Sequence, residues 1–272
     1  MNFNTLYSEK INLKLRMMFD KMGIDYSMPG FYNDINFITE ERKNPKFLET
    51  YAQYINNMKF TNEYIEKAEF ITCKIAKILV AELKKSNQKG RCIDMSLIFS
   101  KMLEKENIWN YAIRGALAIE GKKESYLDNI DAYFFFHDVP QASGHTWLFV
   151  PPFFVVDITL KYQQYANEQT KLINCLPEIN MTKEVDYCSI NISHIYSPEF
   201  LSMYNYFQLP EDLKIFNDIF KPFKIKNNNY FLSYYPCGIT ASDGSLEENK
   251  SISLNGLNAL DVYNKLVRPM LH

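Results

Sequence analysis

Cys92 is the residue with the clearest capacity for covalent chemistry. It lies in Gly90-Arg91-Cys92-Ile93-Asp94, where a polar turn over 86–90 runs into the apolar pattern Met95 to Leu103. That pattern is helical, which places the thiol at a helix start. Unpaired backbone N–H groups and the helix dipole favour the thiolate there. A cysteine that merely packs can occupy the same place, because free thiols are among the most buried side chains. Cys92 therefore acquires meaning only if a base and an orienting acid accompany it.

The histidines are His137, His145, His194 and His272. His137 closes an aromatic strand, His194 lies in an unpatterned region and His272 is the last residue, so all three are read as structural or exposed. His145 opens the stretch Gly144-His145-Thr146-Trp147-Leu148-Phe149-Val150-Pro151-Pro152-Phe153-Phe154-Val155-Val156-Asp157-Ile158-Thr159, which reads as a β-hairpin. With 150–152 as the loop, Phe149 faces Phe153, Trp147 faces Val155 and His145 faces Asp157. Directly opposed residues share a face, with Cβ atoms roughly 4.5–5.5 Å apart. Any odd loop length keeps His145 and Asp157 on one face, whereas an even length separates them.

The other face would then carry Thr146, Leu148, Val150, Phe154, Val156 and Ile158. Both faces are apolar, so the hairpin is expected to be buried, and a buried carboxylate requires a partner. His145 is the economical one. The alternative is that Asp157 caps an Asp-Ile-Thr turn while His145 is exposed after Gly144. A cysteine at a helix start, followed by histidine and aspartate on paired strands, is the nucleophile, base and orienter set of thiol catalysis.

Several elements must position these residues. Residues 8–22 read as a helix closed by Gly23, 28–45 as polar turns, and 47–58 as a short helix. Residues 61–85 form the clearest long helix, capped by Thr61, with Ile65, Ala68, Ile71, Ile75, Ile78 and Leu79 at helical spacing. Cys73 lies within it as a core residue. Beyond the Cys92 helix, 109–119, 131–137, 145–150 and 153–158 read as strands. Helices followed by antiparallel strands make an α+β layout. Residues 198–207 and 210–220 suggest short helices, 229–235 a strand, 238–255 turns and 257–266 a closing helix. The expected organisation is a helical region over 1–85, a core over 86–165, and an extension over 166–272 packed on that core.

Composition bounds the possible partners. The chain has 272 residues, 47% hydrophobic and 23% charged, so it can bury a sizeable core. Thirty basic against 32 acidic residues give a net charge of −2 and no general pull toward nucleic acid or anionic membranes. The longest apolar run, Trp147 to Val156, is too short to span a bilayer and contains Pro151-Pro152. No basic segment followed by an apolar stretch opens the chain, so no signal peptide is expected. Five cysteines without a Cys-x-x-Cys pair leave one over in any disulfide scheme, so a reducing, cytoplasmic location is expected. Neither a metal nor a cofactor is expected.

The order of motifs resembles the transglutaminase-like superfamily, a papain-like branch of cysteine enzymes. The matching elements are Gly90-Arg91-Cys92-Ile93-Asp94, the strand Ala112-Ile113-Arg114-Gly115, His145-Thr146-Trp147 and Asp157-Ile158-Thr159. The chain departs from that pattern in passing from the Cys92 helix through Glu106-Asn107-Ile108-Trp109-Asn110 rather than a glycine-proline turn. The resemblance implies a papain-like or transglutaminase-like core, with the cysteine at a helix N-terminus packed on an antiparallel sheet. It makes Cys92 the nucleophile, His145 the general base and acid, and Asp157 the orienter. Asp94 resembles the residue that caps the first helical turn, and Trp147 packs beside the triad. Gln88, just upstream, is a polar candidate for the second oxyanion donor.

The implied activity is hydrolysis of an amide in a peptide or protein substrate through an acyl-enzyme. Transamidation would use the same residues. Arylamine N-acetyltransferases also order Cys, His and Asp this way, but prefer Cys-x-Glu and a glycine-rich sequence after the aspartate. A binding module that kept only the scaffold would have no need of an intact triad.

Overall fold

The first third of the chain is helical because short polar residues and one glycine punctuate its apolar segments. A computed structural model describes residues 6–138, 144–204, 208, 210–248 and 253–271. Helix α1 (Glu9–Met22) ends at Gly23, whose φ of 65° lets its N–H reach back to the Asp20 and Phe19 carbonyls. Helix α2 (Ile35–Lys43) falls where only turns are expected. Asp34 caps it, accepting from the N–H groups of Asn36 and Phe37, and Phe37 is its one buried residue. Helix α3 (Leu48–Asn56) follows a short 3-10 turn. Helix α4 (Asn62–Ser86) begins, as its sequence predicts, with Thr61 Oγ1 accepting from the Tyr64 N–H at 3.2 Å. Helix α5 (Cys92–Lys105) starts at the cysteine itself.

The strands of the main sheet are β1 (Tyr111–Gly121), β2 (Asp131–Phe134), β3 (His145–Val150), β4 (Phe153–Asp157), β5 (Asn180–Thr182), β6 (Asp186–Tyr187), β7 (Phe223–Lys226) and β8 (Tyr230–Thr240), and Ser253–Leu254 pairs with Leu257–Asn258 in a separate two-stranded sheet. Strands β1 to β8 build one curled, antiparallel sheet in the order β5-β4-β3-β1-β8-β7-β6, which makes the protein α+β. One edge of β1 is shared, since β3 pairs with Tyr111 to Gly115 and β2 with Leu117 to Glu120. His145 therefore sits at the break between two strands, opposite Gly115.

Strand β8 runs further than the sequence suggests, because Pro236 does not end it. The register against β1 shifts between Arg114, paired with Gly238, and Gly115, paired with Pro236. A bulge is one of the few places in a sheet interior that tolerates proline. Since β8 hydrogen-bonds along nearly all of β1, the last hundred residues enter the same sheet as the motif-bearing region. A further helical stretch over 259–271 closes the described chain, longer than expected and with a π-turn at Tyr263–Val267. The helix expected over 198–207 is seen as Pro198–Tyr204; 205–207, like His272, lie outside the described residues.

Two apolar layers hold the sheet. One joins α4 and α5 to Ala112, Leu148, Val150, Phe153, Val156 and the 259–267 turns. The larger one gathers α1, α3, Trp147, Phe149, Phe154 and Tyr234. The sequence places Phe154 with Leu148 and Val150, whereas the structure puts Phe153 there instead. The cause is the turn. Val150 pairs with Phe153 across a two-residue Pro151-Pro152 loop, but Leu148 pairs with Val156, so a bulge sets Phe154 and Val155 against Phe149.

Candidate active site

The even-numbered loop would by itself put His145 and Asp157 on opposite faces. The bulge inserts one residue and restores the parity. With the loop, which is one residue shorter than expected, it moves the register two residues from the expected one, so that Asp157 lies level with Trp147 and diagonal to His145 rather than directly opposite. The diagonal is short enough: His145 Nε2 donates to Asp157 Oδ2 at 2.6 Å. His145 is fully buried and Asp157 is 1% exposed, so water does not screen the pair.

The Asp157 carboxylate is fully engaged. Its Oδ1 accepts from the Thr159 N–H at 2.9 Å and Thr159 Oγ1 at 3.0 Å. Its Oδ2 accepts, besides His145, the Tyr234 phenol at 3.2 Å. Asn180 Nδ2 donates in turn to the Tyr234 oxygen at 3.0 Å. Burial would raise the carboxyl pKa, but the His145 charge and the bonds from His145 and Thr159 outweigh it and hold the pKa below the usual value. Burial would likewise lower the His145 pKa. The charge and hydrogen bond of Asp157, joined by the neighbouring Cys92, overcome this and raise it to about 10.

Two contacts bring Cys92 to this pair. One helical turn after it, Ser96 Oγ donates to the Thr146 carbonyl at 3.0 Å, fixing α5 on β3 beside His145. Just before it, the Gly90 N–H donates to the Tyr162 carbonyl at 2.9 Å, tying the Cys92 turn to the segment after Asp157. The thiol and His145 are near enough to influence each other, yet buried Nδ1 has no partner at full hydrogen-bond geometry. The free nitrogen of the ring is thus the one that Asp157 does not hold. Cys92 is 6% exposed.

The remaining expected site residues fall around this centre. Trp147 is fully buried, near-parallel to the imidazole at 6.1 Å and edge-on to Tyr234 at 4.9 Å. Gly115 makes room for it, because a Cβ there would overlap the Tyr235 carbonyl oxygen and stand 2.9 Å from Trp147 Cη2. Asp94 does not act as the backbone cap expected of it. No side chain caps α5, and Asp94 Oδ2 instead accepts from Arg91 Nε at 3.0 Å and Nη2 at 2.9 Å. Arg91 stands one residue before the helix and folds onto its first turn, which occupies that carboxylate.

Gln88 is exposed, its side-chain carbonyl accepts from Arg91 Nη1 and its backbone N–H donates to Ser86 Oγ at 3.4 Å, and these contacts are structural. His194 shares a hydrogen bond with the Tyr235 hydroxyl at 3.0 Å, and His137 clusters with the near-parallel rings of Tyr196 and Phe200. Both stand apart from the His145–Asp157 pair. Cys73 lies on α4, half-buried rather than in the core. Among the described residues, no three His, Cys, Asp or Glu side chains gather as a metal site.

Tyr234 and Asn180 escape sequence reasoning. They lie 77 and 23 positions beyond Asp157, on strands that sequence patterning truncates or omits. Among the described residues, no helix is long and apolar enough to cross a membrane. Comparison with family models, curated proteins and solved structures finds no match.

Proposed function

We propose that this chain is a cysteine-dependent hydrolase of the transglutaminase-like, papain-like kind, cleaving an amide in a peptide or protein through an acyl-enzyme. The observation that carries this reading is the buried His145–Asp157 bond of 2.6 Å beside Cys92 at the first residue of α5. Asp157 keeps the proton on Nε2 and stabilises the imidazolium, so Nδ1 is the nitrogen that exchanges a proton with the thiol and the substrate. The Cys92 thiolate attacks the carbonyl carbon, and the oxyanion forms near the α5 N-terminus, where free N–H groups point. His145 Nδ1–H then protonates the leaving amine as the C–N bond breaks, giving a thioester. Water adds to the thioester while Nδ1 takes its proton. The C–S bond breaks, and the carboxylic acid and the thiol are released. The five cysteines are all free, which suits a reducing, cytoplasmic setting.

Iodoacetamide labelling with mass spectrometry tests this. Cys92 should be alkylated near neutral pH well ahead of a free thiol, and Cys92→Ala should abolish both that label and hydrolysis of a peptide library. Labelling of Cys92 no faster than glutathione would overturn the proposal.

A further inference from the structure

We infer that Tyr234, backed by Asn180, is a positioning residue that holds the Asp157 carboxylate ionised and aimed at His145. The inference rests on the function proposed above. Tyr234 is fully buried and its hydroxyl stands between the Asn180 amide and Asp157 Oδ2, at 3.0 Å and 3.2 Å. With its oxygen accepting from Asn180 Nδ2, the phenol proton can only point at the carboxylate, which has none of its own to give. Thr182 Oγ1 donates to Asn180 Oδ1 at 3.0 Å and fixes which end of that amide faces the phenol. The donor order is therefore set from β5 through β8 to β4.

The chain of bonds acts on the reaction only through Asp157. Its far end, Oδ1, is already held by Thr159, so Tyr234 governs the oxygen that His145 uses. A second donor on that oxygen stabilises the charged carboxylate in a dry site, and the carboxylate stabilises the imidazolium. Tyr234 also packs edge-on against Trp147, which itself lies along the imidazole, so ring and hydroxyl constrain the same pair. Residues 166–272 thus complete the site through β5 and β8, rather than merely packing against it.

The test is the titration of the His145 imidazole nitrogens, followed by ¹⁵N NMR in the full chain. Tyr234→Phe keeps the ring and removes only the donor. It should raise the His145 pKa by about one unit, the tenfold that one charge-assisted hydrogen bond represents, because a carboxylate without that donor holds the imidazolium proton more tightly. Asn180→Ala should raise it by less, and in the Tyr234→Phe background it should add nothing, because both act along one path. Should Tyr234→Phe fail to fold, Asn180→Ala decides: Asn180 pairs with Asp157 across the β4–β5 ladder, but its amide nitrogen donates to the phenol, so the substitution leaves the strand pairing and removes that bond. An unchanged His145 titration in a folded variant, or fully additive shifts, would overturn the inference. Alkylation of Cys92 in the native chain is read separately. If it is ordinary, the proposed function fails while the titration result stands.

Discussion

Replacing Asp157 by Asn changes one atom at the centre of the buried network and isolates its charge. The shape is kept, but two consequences follow from the donors around it. Thr159 still finds a carbonyl oxygen, whereas the amide nitrogen now faces His145 Nε2, which can only accept if the ring is neutral and its proton sits on Nδ1. The Tyr234 proton loses its acceptor. The imidazole, fully buried, then has only the neighbouring Cys92 against desolvation, and its pKa drops from about 10 to below the ordinary value of 6.5.

The effect on stability has a definite sign. A histidine whose folded pKa is raised contributes stability that is fully present below the unfolded pKa and is lost as pH rises through the folded one. At about 1.4 kcal/mol per unit, the native chain gains about 4–5 kcal/mol from this proton at pH 6. By pH 9 the gain shrinks to roughly 1–2 kcal/mol, and above pH 10 it vanishes. For a chain of this size each kcal/mol shifts Tm by roughly 2 °C. Thermal unfolding of native and Asp157→Asn protein should therefore differ by about 10 °C at pH 6 and about 3 °C at pH 9. Hydrolysis, on the proposed mechanism, should fall by at least a hundredfold at both values, because the tautomer is wrong. A Tm gap that stays constant or widens with rising pH would refute the assignment of an ionised Asp157–His145 pair.

Four further substitutions probe the frame. Gly115→Ala drives a methyl into the Tyr235 carbonyl and Trp147, so it should cost about 2–3 kcal/mol in urea unfolding and disturb the His145 environment. Thr159→Val removes one donor to Asp157 and should cost about 1–1.5 kcal/mol. Asp157 is held below its usual pKa, a stabilisation present above the unfolded carboxyl pKa and lost as pH falls through the folded one. The same variant should therefore unfold at a higher pH in an acid titration followed by circular dichroism. Far from the site, Lys101 is 2% exposed and paired with Glu104 at 3.0 Å, while Tyr32 donates to that carboxylate at 2.6 Å. Lys101→Met leaves a largely covered carboxylate without its cation and should cost about 3 kcal/mol. Adding Glu104→Gln should recover part of that loss, and strict additivity in the double variant would show that the two do not interact.

What sequence reasoning reached depended on how local the determining signal is. Thr61 and Gly23 announce helix ends because a cap is a contact between near neighbours. Asp34 makes the same kind of contact at the start of α2, yet α2 went unread, because a helix with Phe37 as its one buried residue shows little apolar periodicity among the turn formers around it. Pro236 and Gly238 look like the end of a strand and instead occupy a bulge. Only the register against β1 reveals this, and no local pattern encodes it. The donors of Asn180 and Tyr234 are invisible for the same reason, since each lies on a strand that reaches Asp157 through the sheet rather than along the chain.

The hairpin carries this distinction into the candidate site. A shared face for His145 and Asp157 follows from a parity argument whose premise, an odd loop, the structure does not satisfy. The loop holds Pro151 and Pro152 alone, and the missing odd residue is supplied by the bulge opposite Phe149. A carboxylate in a strand apolar on both faces needs a charged or donating neighbour wherever the register falls. The register then decides which neighbour. A shift of two residues leaves the pair on one face and makes their contact diagonal, which sets Trp147 level with Asp157 and opens Oδ2 to Tyr234 as well as to His145. In a directly opposed hairpin the imidazole would stand squarely over the carboxylate. The bulge in β4 thus sets the diagonal contact, while β5 and β8 bring Asn180 and Tyr234 in through their own pairings with β4 and β1, and deleting Val155 to straighten the strand should uncouple His145 from Asp157 even if the sheet survives.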